Sequence, residues 1–357
     1  MHSSRRYFTC AATALLAGAS APRVWAEPGA AGASPVLPKD LMEGSLVRIN
    51  LDNSSACGFV AKMDGATYVL TNTRLISGHS RFTISTLAGA ELRPTGIELS
   101  TTRDIARIRV GSGSGLDIAA NVADGDSVVL VDFAKPGTTF SARGGTVENT
   151  NDERFDITAT FGKEHGGSPV VNTATKVCGI AANIDYFKAE GNSWVSTERH
   201  VNYRIAGTSW FAPNWRQYDK QFGRPLRDAD EFRQIIYGLA NQWMGDLKSP
   251  IETDAEVDLD VQRWIKQHNG MVTNLGKKRK RNKGGGDPLA PIRKDFSDSC
   301  NALVDICTSK AKTLAFFGEQ ANASPFTVNQ FKMRARELVQ FAKFVRAFEK
   351  KNEYYRW

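Results

Sequence analysis

Short strand-like segments separated by turn signals most constrain the fold of this chain. They occupy residues 42–205 of the 357-residue sequence, and no long helical period lies between them. Turn pairs such as Asp64-Gly65 and Asp124-Gly125 end one segment and precede the next. The segments with strand-like composition are 45–51, 57–62, 67–71, 81–86, 106–110, 127–133, 169–172 and 176–182. Strands of this length and spacing predict an all-β sandwich or barrel.

The pattern changes to helical periodicity after about residue 213. Apolar residues recur every three or four positions in four stretches, which is typical of helices that bury one face. The first stretch follows a capping-box-like start at Asp228 and Glu231, and the last starts near Thr327 with Gln330 at the box position. The sequence therefore predicts an all-β domain over residues 41–213 and a helical domain over residues 214–357.

The first 40 residues have the composition of an export signal and a linker. Arg5 and Arg6 precede an apolar stretch that is too short to span a membrane, and an A-x-A-like site ends at Ala26. The paired arginines resemble a bacterial twin-arginine signal. We predict a signal peptide over residues 1–26, a linker over 27–40, and a periplasmic or extracellular bacterial protein. The alternative is a basic start followed by a core helix.

The formal net charge is +8, and the densest basic run lies between the second and third predicted helices. Six of the seven residues from Lys277 to Lys283 are Lys or Arg, and three glycines follow. Such a run is found in nuclear signals and nucleic-acid patches. Export argues against the first, and the lack of interleaved aromatic residues argues against the second. A solvated loop and a contact with an anionic envelope surface stay open.

Cysteine usage is low for a chain of this length. Cys57, Cys178, Cys300 and Cys307 lie outside the predicted signal peptide. Cys300 and Cys307 are two helical turns apart, too far to bridge each other. Buried free thiols are therefore expected, although a bridge between Cys57 and Cys178 stays open.

Six segments of the β region carry an ordered set of short motifs. They are 56–60 (ACGFV), 71–76 (TNTRLI), 103–108 (RDIARI), 125–129 (GDSVV), 164–172 (EHGGSPVVN) and 176–180 (KVCGI). In order, spacing and strand context they resemble the trypsin-like serine peptidases, particularly the bacterial high-temperature-requirement type. The resemblance implies a trypsin-like double β-barrel and covers none of the helical region.

The same resemblance implies a degenerate catalytic triad. Arg74 stands at the histidine position, Asp104 at the aspartate position and Gly166 at the serine position. Arginine stays protonated and cannot act as a general base, and glycine has no nucleophile. Glu164 replaces a glycine near the oxyanion hole, where a carboxylate would repel developing negative charge. The prediction is an inactive peptidase homologue that acts as a binding or scaffold module, without a metal or other cofactor.

Two questions about the triad stay open in the sequence. Ser168 could act with His79 or His165 as a displaced triad, which would make the protein an active serine endopeptidase. Arg74 and Asp104 could form an ion pair across the cleft. Alternatively, Arg74 could point to solvent while Asp104 caps a turn.

The resemblance also implies a groove for an extended peptide or protein segment. In the family such a peptide pairs with the strand that follows the nucleophile. Here that strand supplies Gly179, Ile180, Ala181, Ala182 and Asn183. Main-chain pairing needs no triad, so peptide binding can outlast catalysis. The other possibilities are a scaffold that no longer binds peptide and an envelope adaptor that works through the basic helical domain.

Overall fold

The structure is a computed structural model that describes residues 37–51, 54–79, 81–133, 140–278, 290–320 and 322–352. These residues belong to one compact unit, Ser34–Trp357. The predicted signal peptide, most of the predicted linker and residues 279–283 of the basic run lie outside the described residues. Helix α1 (Lys39–Ser45) begins two residues before the predicted end of that linker.

The first half of the β region is a nine-stranded sheet. Its path runs β15-β6-β7-β3-β2-β1-β4-β5, and β8 pairs with β2 beside the path. The short helix α2 (Thr73–Ile76) follows directly after β3. The strands are β1 (Leu46–Asn50), β2 (Ser55–Met63), β3 (Ala66–Thr71), β4 (Thr83–Thr86), β5 (Glu91–Leu92), β6 (Pro94–Ser100), β7 (Ala106–Val110), β8 (Leu116–Asp117) and β15 (Trp210–Phe211).

The second half of the β region is a closed barrel in the order β10-β11-β14-β13-β12-β9. Its strands are β9 (Ser127–Phe133), β10 (Phe140–Glu148), β11 (Arg154–Ile157), β12 (Pro169–Asn172), β13 (Val177–Glu190) and β14 (Ser193–Arg204). The predicted fold class is confirmed, with one difference. The described residues close only this second sheet, while the first sheet ends at β15 and β5, and its apolar residues share one cluster with the helices.

The first helix begins upstream of its predicted start at Asp228, at the predicted boundary of the helical region. Asn214 caps α3 by accepting a hydrogen bond from the Gln217 backbone N–H at 3.3 Å, and Asp228 lies inside α4. The prediction of a cap at Asp228 is therefore wrong, because a cap satisfies N–H groups only at a helix start. The helices are α3 (Trp215–Tyr218), a π-helical segment (Asp219–Gly223), α4 (Arg224–Gly245), α5 (Leu259–Lys278), α6 (Ala290–Phe317) and α7 (Pro325–Asn352).

The last helix also begins earlier than predicted. Ser324 accepts a hydrogen bond from the Thr327 backbone N–H at 3.2 Å, so Ser324 is its cap and Thr327 lies in the first turn. None of the described helices is long and apolar enough to cross a membrane. The four described cysteines are free and buried, so Cys57 and Cys178 do not form the bridge left open above.

The long β13–β14 hairpin joins the closed barrel to the helices. Trp194 near its tip packs against the rings of Tyr237 and Phe341 at centroid distances of 6.0 and 5.4 Å. Asn241 of α4 exchanges two hydrogen bonds of 2.7 Å with the Trp194 backbone. One hydrophobic cluster runs from the first sheet through Trp194 into α4–α7. The helices therefore contact both sheets.

Candidate functional site

Arg74 and Asp104 form the ion pair that the sequence left open. Helix α2 presents Arg74, and the turn before β7 presents Asp104. The Arg74 backbone N–H donates to Asp104 Oδ1 at 3.1 Å, and its Nε lies 3.1 Å from Oδ2. The Asn72 side chain donates to the Asp104 backbone oxygen at 3.0 Å and fixes the turn. Both carboxylate oxygens of Asp104 are thus occupied by Arg74.

The environment of this pair is only partly open to solvent. The Asp104 side chain is 5% exposed, while that of Arg74 is 30% exposed. Burial raises the pKa of Asp104, and the Arg74 guanidinium and backbone N–H oppose that rise. Arg74 therefore places a guanidinium at the predicted position of the base, where a peptidase needs a group that accepts and returns a proton.

In the turn at the predicted nucleophile position, the backbone of Gly167 closely approaches the backbone of Cys57. Gly167 has a φ of +90°, and a Cβ there would lie 2.1 Å from the Cys57 carbonyl oxygen. Its N–H donates to the Ala181 oxygen at 2.9 Å, which ties the turn to β13. Gly166 is buried and does not have a positive φ, so its backbone could carry a side chain. The turn therefore keeps its backbone contacts, although Gly166 has no hydroxyl.

Ser168 and His165 meet at a carboxylate that the sequence analysis overlooked. Asp132 on β9 accepts a hydrogen bond from Ser168 Oγ at 3.1 Å on Oδ1, and His165 Nε2 lies 3.2 Å from Oδ2. Ser168 Oγ is also 3.4 Å from Cys57 Sγ. We call Asp132, His165, Ser168 and Cys57 the β9 cluster. All four residues are buried, and burial raises the pKa of Cys57 to about 12, so its thiol is not activated.

The contacts of the β9 cluster occupy both ring nitrogens of His165. The Gly162 N–H and carbonyl oxygen lie 2.9 and 3.2 Å from Nδ1, while Nε2 faces Asp132. Ser168 donates to Asp132, and no described hydrogen bond joins it to an imidazole. Glu164 is largely exposed, and its carboxylate oxygen lies 3.2 Å from His165 Nδ1. Carboxylate, imidazole and hydroxyl are present, but the imidazole is not placed to take the proton of Ser168.

His79 lies in another environment. It follows α2 and lies close to Asp219 in the π-helical segment, where burial raises the pKa of the carboxyl and Arg227 and His79 oppose that rise. Nearby, Arg227 of α4 donates to the Gly78 oxygen at 3.0 Å. His79 therefore faces the helices, whereas Ser168 lies in the β9 cluster. The structure does not bring these two rescue candidates together.

The predicted peptide-groove residues all lie in β13 and are buried. Gly179 and Ile180 pair with β12 on one side and β14 on the other. Ala181 donates to the Ser168 oxygen at 2.8 Å, so its peptide group also points away from β14. Alternate residues of a strand point the same way, which directs the Asn183 peptide group to this edge. The edge that could receive a strand therefore begins after Ala181, further along than predicted.

The helices contact this edge of β13 at Phe187, at the end away from Ala181. The Phe187 N–H donates to Glu337 Oε2 of α7 at 3.3 Å. Arg233 of α4 holds Glu337 in place through Nε at 2.8 Å and Nη2 at 3.0 Å. Near Arg74, the Tyr218 hydroxyl of α3 lies 3.2 Å from Ser77 Oγ. The helical region thus contacts both walls of the cleft.

Known proteins resemble the β region. Residues 56–180 match the family model of the trypsin-like peptidase domain, and the match includes the positions of Arg74, Asp104 and Gly166. Residues 56–180 of this chain are therefore similar to a trypsin-like peptidase domain. The predicted family resemblance is confirmed. No curated protein matches the chain.

Several solved structures are similar to part of this chain. Rv3671c from M. tuberculosis H37Rv, in an inactive form, is 17% identical with a TM-score of 0.35. The aligned region covers 48% of this chain and 92% of Rv3671c. Deg5 has 17% identity and a TM-score of 0.34, covering 40% and 81%. The serine endoprotease from Yersinia pestis has 16% identity and a TM-score of 0.33, covering 47% and 60%.

The sequence contains a signal for Asp132 but none for the contacts that the helices make with the β region. Asp132 is a single carboxylate within the apolar run of β9, and a charged residue in a buried strand needs a partner. That signal could have singled it out. The contacts from Tyr218 and Glu337 left no local signal, because they join residues more than a hundred positions apart. Among the described residues, no group of three His, Cys, Asp or Glu side chains could hold a metal ion.

Proposed function

We propose that this chain is a catalytically inactive homologue of trypsin-like peptidases that acts as a protein-binding or scaffold module. The observation that carries the proposal is the two-point contact of Arg74 with both carboxylate oxygens of Asp104. In an active enzyme that carboxylate would orient an imidazole that exchanges protons with the nucleophile. Here the carboxylate binds a group that does not release its proton at working pH.

The nucleophile position supports the same conclusion. Gly166 has no side chain to attack a carbonyl carbon, and the turn around it is otherwise intact. Losing triad members lowers the rate by roughly 10⁴- to 10⁶-fold. A chain that has lost both the base and the nucleophile should therefore have no useful peptidase activity.

The β9 cluster favours one second candidate, an active serine endopeptidase with a displaced triad. In this cluster Asp132 lies within hydrogen-bonding distance of both His165 and Ser168. Two facts count against this function. Ser168 Oγ is bonded to Asp132 rather than to the imidazole, and both Ser168 and His165 are almost completely buried. A substrate carbonyl could not reach Ser168 without opening the turn.

A direct activity measurement separates the two functions. We expect the protein to leave unfolded casein intact and to resist labelling by a serine-reactive fluorophosphonate. Cleavage or labelling that disappears in the Ser168→Ala variant would overturn the proposal. A Ser141→Ala variant is the matched control, since Ser141 lies on β10 outside the cluster.

Reversion of the two replaced positions sharpens this test. The double variant Arg74→His with Gly166→Ser restores the residue types of the family and is compatible with the backbone of both turns. If the scaffold keeps a peptidase geometry, the double variant should gain fluorophosphonate labelling that neither single variant shows. An enzyme already active through Ser168 would gain little.

For the binding role, we propose that an extended segment pairs with β13 at Asn183, between its contacts with Ser168 and Glu337. Such a segment would gain main-chain hydrogen bonds without any catalytic group. Screening the protein against a library of extended peptides checks this, and the absence of any enriched sequence would contradict it. We further propose that the protein is exported, which cell fractionation of the full chain tests.

A further inference from the structure

Helix α7 carries a row of basic side chains along one exposed face. Its members, all exposed, are Lys332, Arg336, Lys343, Arg346 and Lys350. At about 100° per residue they fall within an arc of about 80°, and at 1.5 Å per residue the row is about 27 Å long. We call these five residues the cationic ridge. Residues 214–357 contain 26 Lys and Arg against 18 Asp and Glu, so the excess positive charge of the chain lies in this region.

The neighbouring helix α6 shows that the ridge is not a general property of the helical surface. The exposed row of α6 mixes signs, with Asp305 between Lys294 and Lys312. The two carboxylates of α7 do not break the ridge. Glu337 faces Arg233 of α4, and Glu349 lies at the edge of the ridge, 3.0 Å from Arg346.

Internal contacts do not account for the ridge. Within the described residues, Arg346 is the one ridge member that pairs with a carboxylate, and Lys332, Arg336, Lys343 and Lys350 form no ion pair. Like charges three or four residues apart destabilise a helix, and the ridge contains several such pairs. The positive charge therefore lowers rather than raises the stability of α7, and an external anionic partner would offset that cost.

We propose that the cationic ridge docks the protein on an anionic lipid bilayer. This inference goes beyond the proposed function and does not depend on the state of the triad. A row of exposed cations along one helix can approach a flat anionic surface along its whole length, whereas the phosphates of a nucleic-acid duplex curve away from it. Val339 lies within the ridge and Met333 beside it, and each is 40% exposed. Apolar side chains among cations suit the headgroup boundary of a bilayer.

Vesicle binding tests the proposal on the protein as it exists. The full chain is sedimented with vesicles of phosphatidylcholine alone and of phosphatidylcholine mixed with phosphatidylglycerol. We expect binding to the mixed vesicles only, weakening as salt is raised because the contact is electrostatic. The variant Lys332→Gln, Arg336→Gln, Lys343→Gln should bind roughly a hundred-fold more weakly, because each lost cation removes part of the attraction to the anionic surface.

A matched variant controls for net charge. Arg263→Gln, Lys266→Gln, Lys312→Gln removes the same number of charges from exposed positions outside the ridge and should bind within about three-fold of the native chain. Equal losses in both variants, or native affinity in the ridge variant, would overturn the proposal. So would binding that disappears when residues 277–283 are deleted but survives in the ridge variant. Circular dichroism confirms that each variant is folded.

A nucleic-acid partner is a further outcome of the same experiment. Fluorescence anisotropy with a DNA duplex is measured at the salt concentration used for the vesicles. Weak duplex binding that the ridge and control variants lose equally supports the proposal, since it reports net charge alone. Tighter binding to the duplex than to the anionic vesicles, lost only in the ridge variant, would assign the ridge to nucleic acid and reject the bilayer.

Discussion

The two walls of the cleft each hold a buried carboxylate, but they satisfy it in different ways. On the first sheet Asp104 binds a permanent cation, Arg74, which is 30% exposed. On the closed barrel Asp132 binds the donors of His165 and Ser168, and both are almost fully buried. Burial raises the pKa of both carboxyl groups. The carboxylate of the first sheet thus contacts a cation, whereas that of the closed barrel accepts hydrogen bonds from a hydroxyl and an imidazole.

This contrast shows that residue types alone do not define a catalytic site. The closed barrel contains a Ser, a His and an Asp, yet its imidazole donates to the carboxylate and does not face the hydroxyl. Catalysis needs the imidazole between the hydroxyl and the carboxylate, because one ring nitrogen must accept the hydroxyl proton while the other binds the carboxylate. Removing each carboxylate or its partner should therefore affect stability rather than turnover.

The largest effect is expected at the centre of the β9 cluster. Asp132→Ala removes the acceptor of His165 and Ser168, which leaves His165 Nε2 buried without a partner and the Ser168 hydroxyl with only the Cys57 sulfur. We expect the free energy of unfolding to fall by about 3 kcal/mol, measured by urea denaturation. Asp117→Ala removes the same charge from an exposed strand position and should change it by less than about 0.5 kcal/mol. A similar small loss in both variants would show that the cluster does not stabilise the barrel.

A smaller effect is expected on the other wall. Arg74→Ala leaves the Asp104 carboxylate without its counter-charge, although solvent reaches the site and moderates the loss. We expect a decrease of about 2 kcal/mol in the free energy of unfolding near neutral pH. Arg81→Ala, at an exposed position a few residues away, is the matched control and should have little effect.

The pH dependence of this variant has a definite sign. The pKa of Asp104 is raised in the folded protein, so the folded state keeps its proton to higher pH than the unfolded chain. The Asp104 contribution to stability therefore falls as pH rises from the unfolded pKa through the folded pKa. Without Arg74 the folded pKa rises further, and the fall extends to higher pH. Urea denaturation as a function of pH should show the Arg74→Ala deficit shrinking as the solution is acidified; a constant deficit would contradict this assignment.

The smallest effect is expected at Ser168. Ser168→Ala removes one donor to Asp132 but leaves His165 in place, so about 1 kcal/mol should be lost. Ser168→Thr would test whether the hydroxyl or the space matters, because it keeps the donor and adds a methyl group to a fully buried position. If Ser168→Ala is neutral, the hydrogen bond from Ser168 to Asp132 is not a significant part of the cluster.

Much of the β region could be predicted because its signals are local. The strands β7, β9 and β12 have the predicted bounds, since turn residues flank short apolar runs. Strands β10 and β14 were not predicted. β10 contains paired glycines, and β14 alternates polar residues on a long hairpin, so neither has the apolar content of a buried strand. Their pairing partners, rather than their own residues, hold them in the barrel.

The predicted start of the first helix at Asp228 was wrong for a related reason. A capping-box pattern at Asp228 is common on exposed helix surfaces, and tertiary packing decides which of several candidate starts is used. Here Tyr218 and Phe222 are buried in the cluster shared with the first sheet, and this packing extends the helical segment upstream. The sequence contains those aromatic residues but does not show what they pack against.

The sequence by itself determined the residue types of each motif, because motif order and spacing are properties of the chain. From them it predicted that Arg74 and Gly166 stand at the positions of a catalytic base and a nucleophile. Only the tertiary structure decided that Arg74 binds Asp104, that Asp132 draws His165 and Ser168 together, and that α7 contacts the edge of β13. Those contacts join residues 30 to 150 positions apart, and hydrogen bonds of about 3 Å depend on the packing that brings distant segments together.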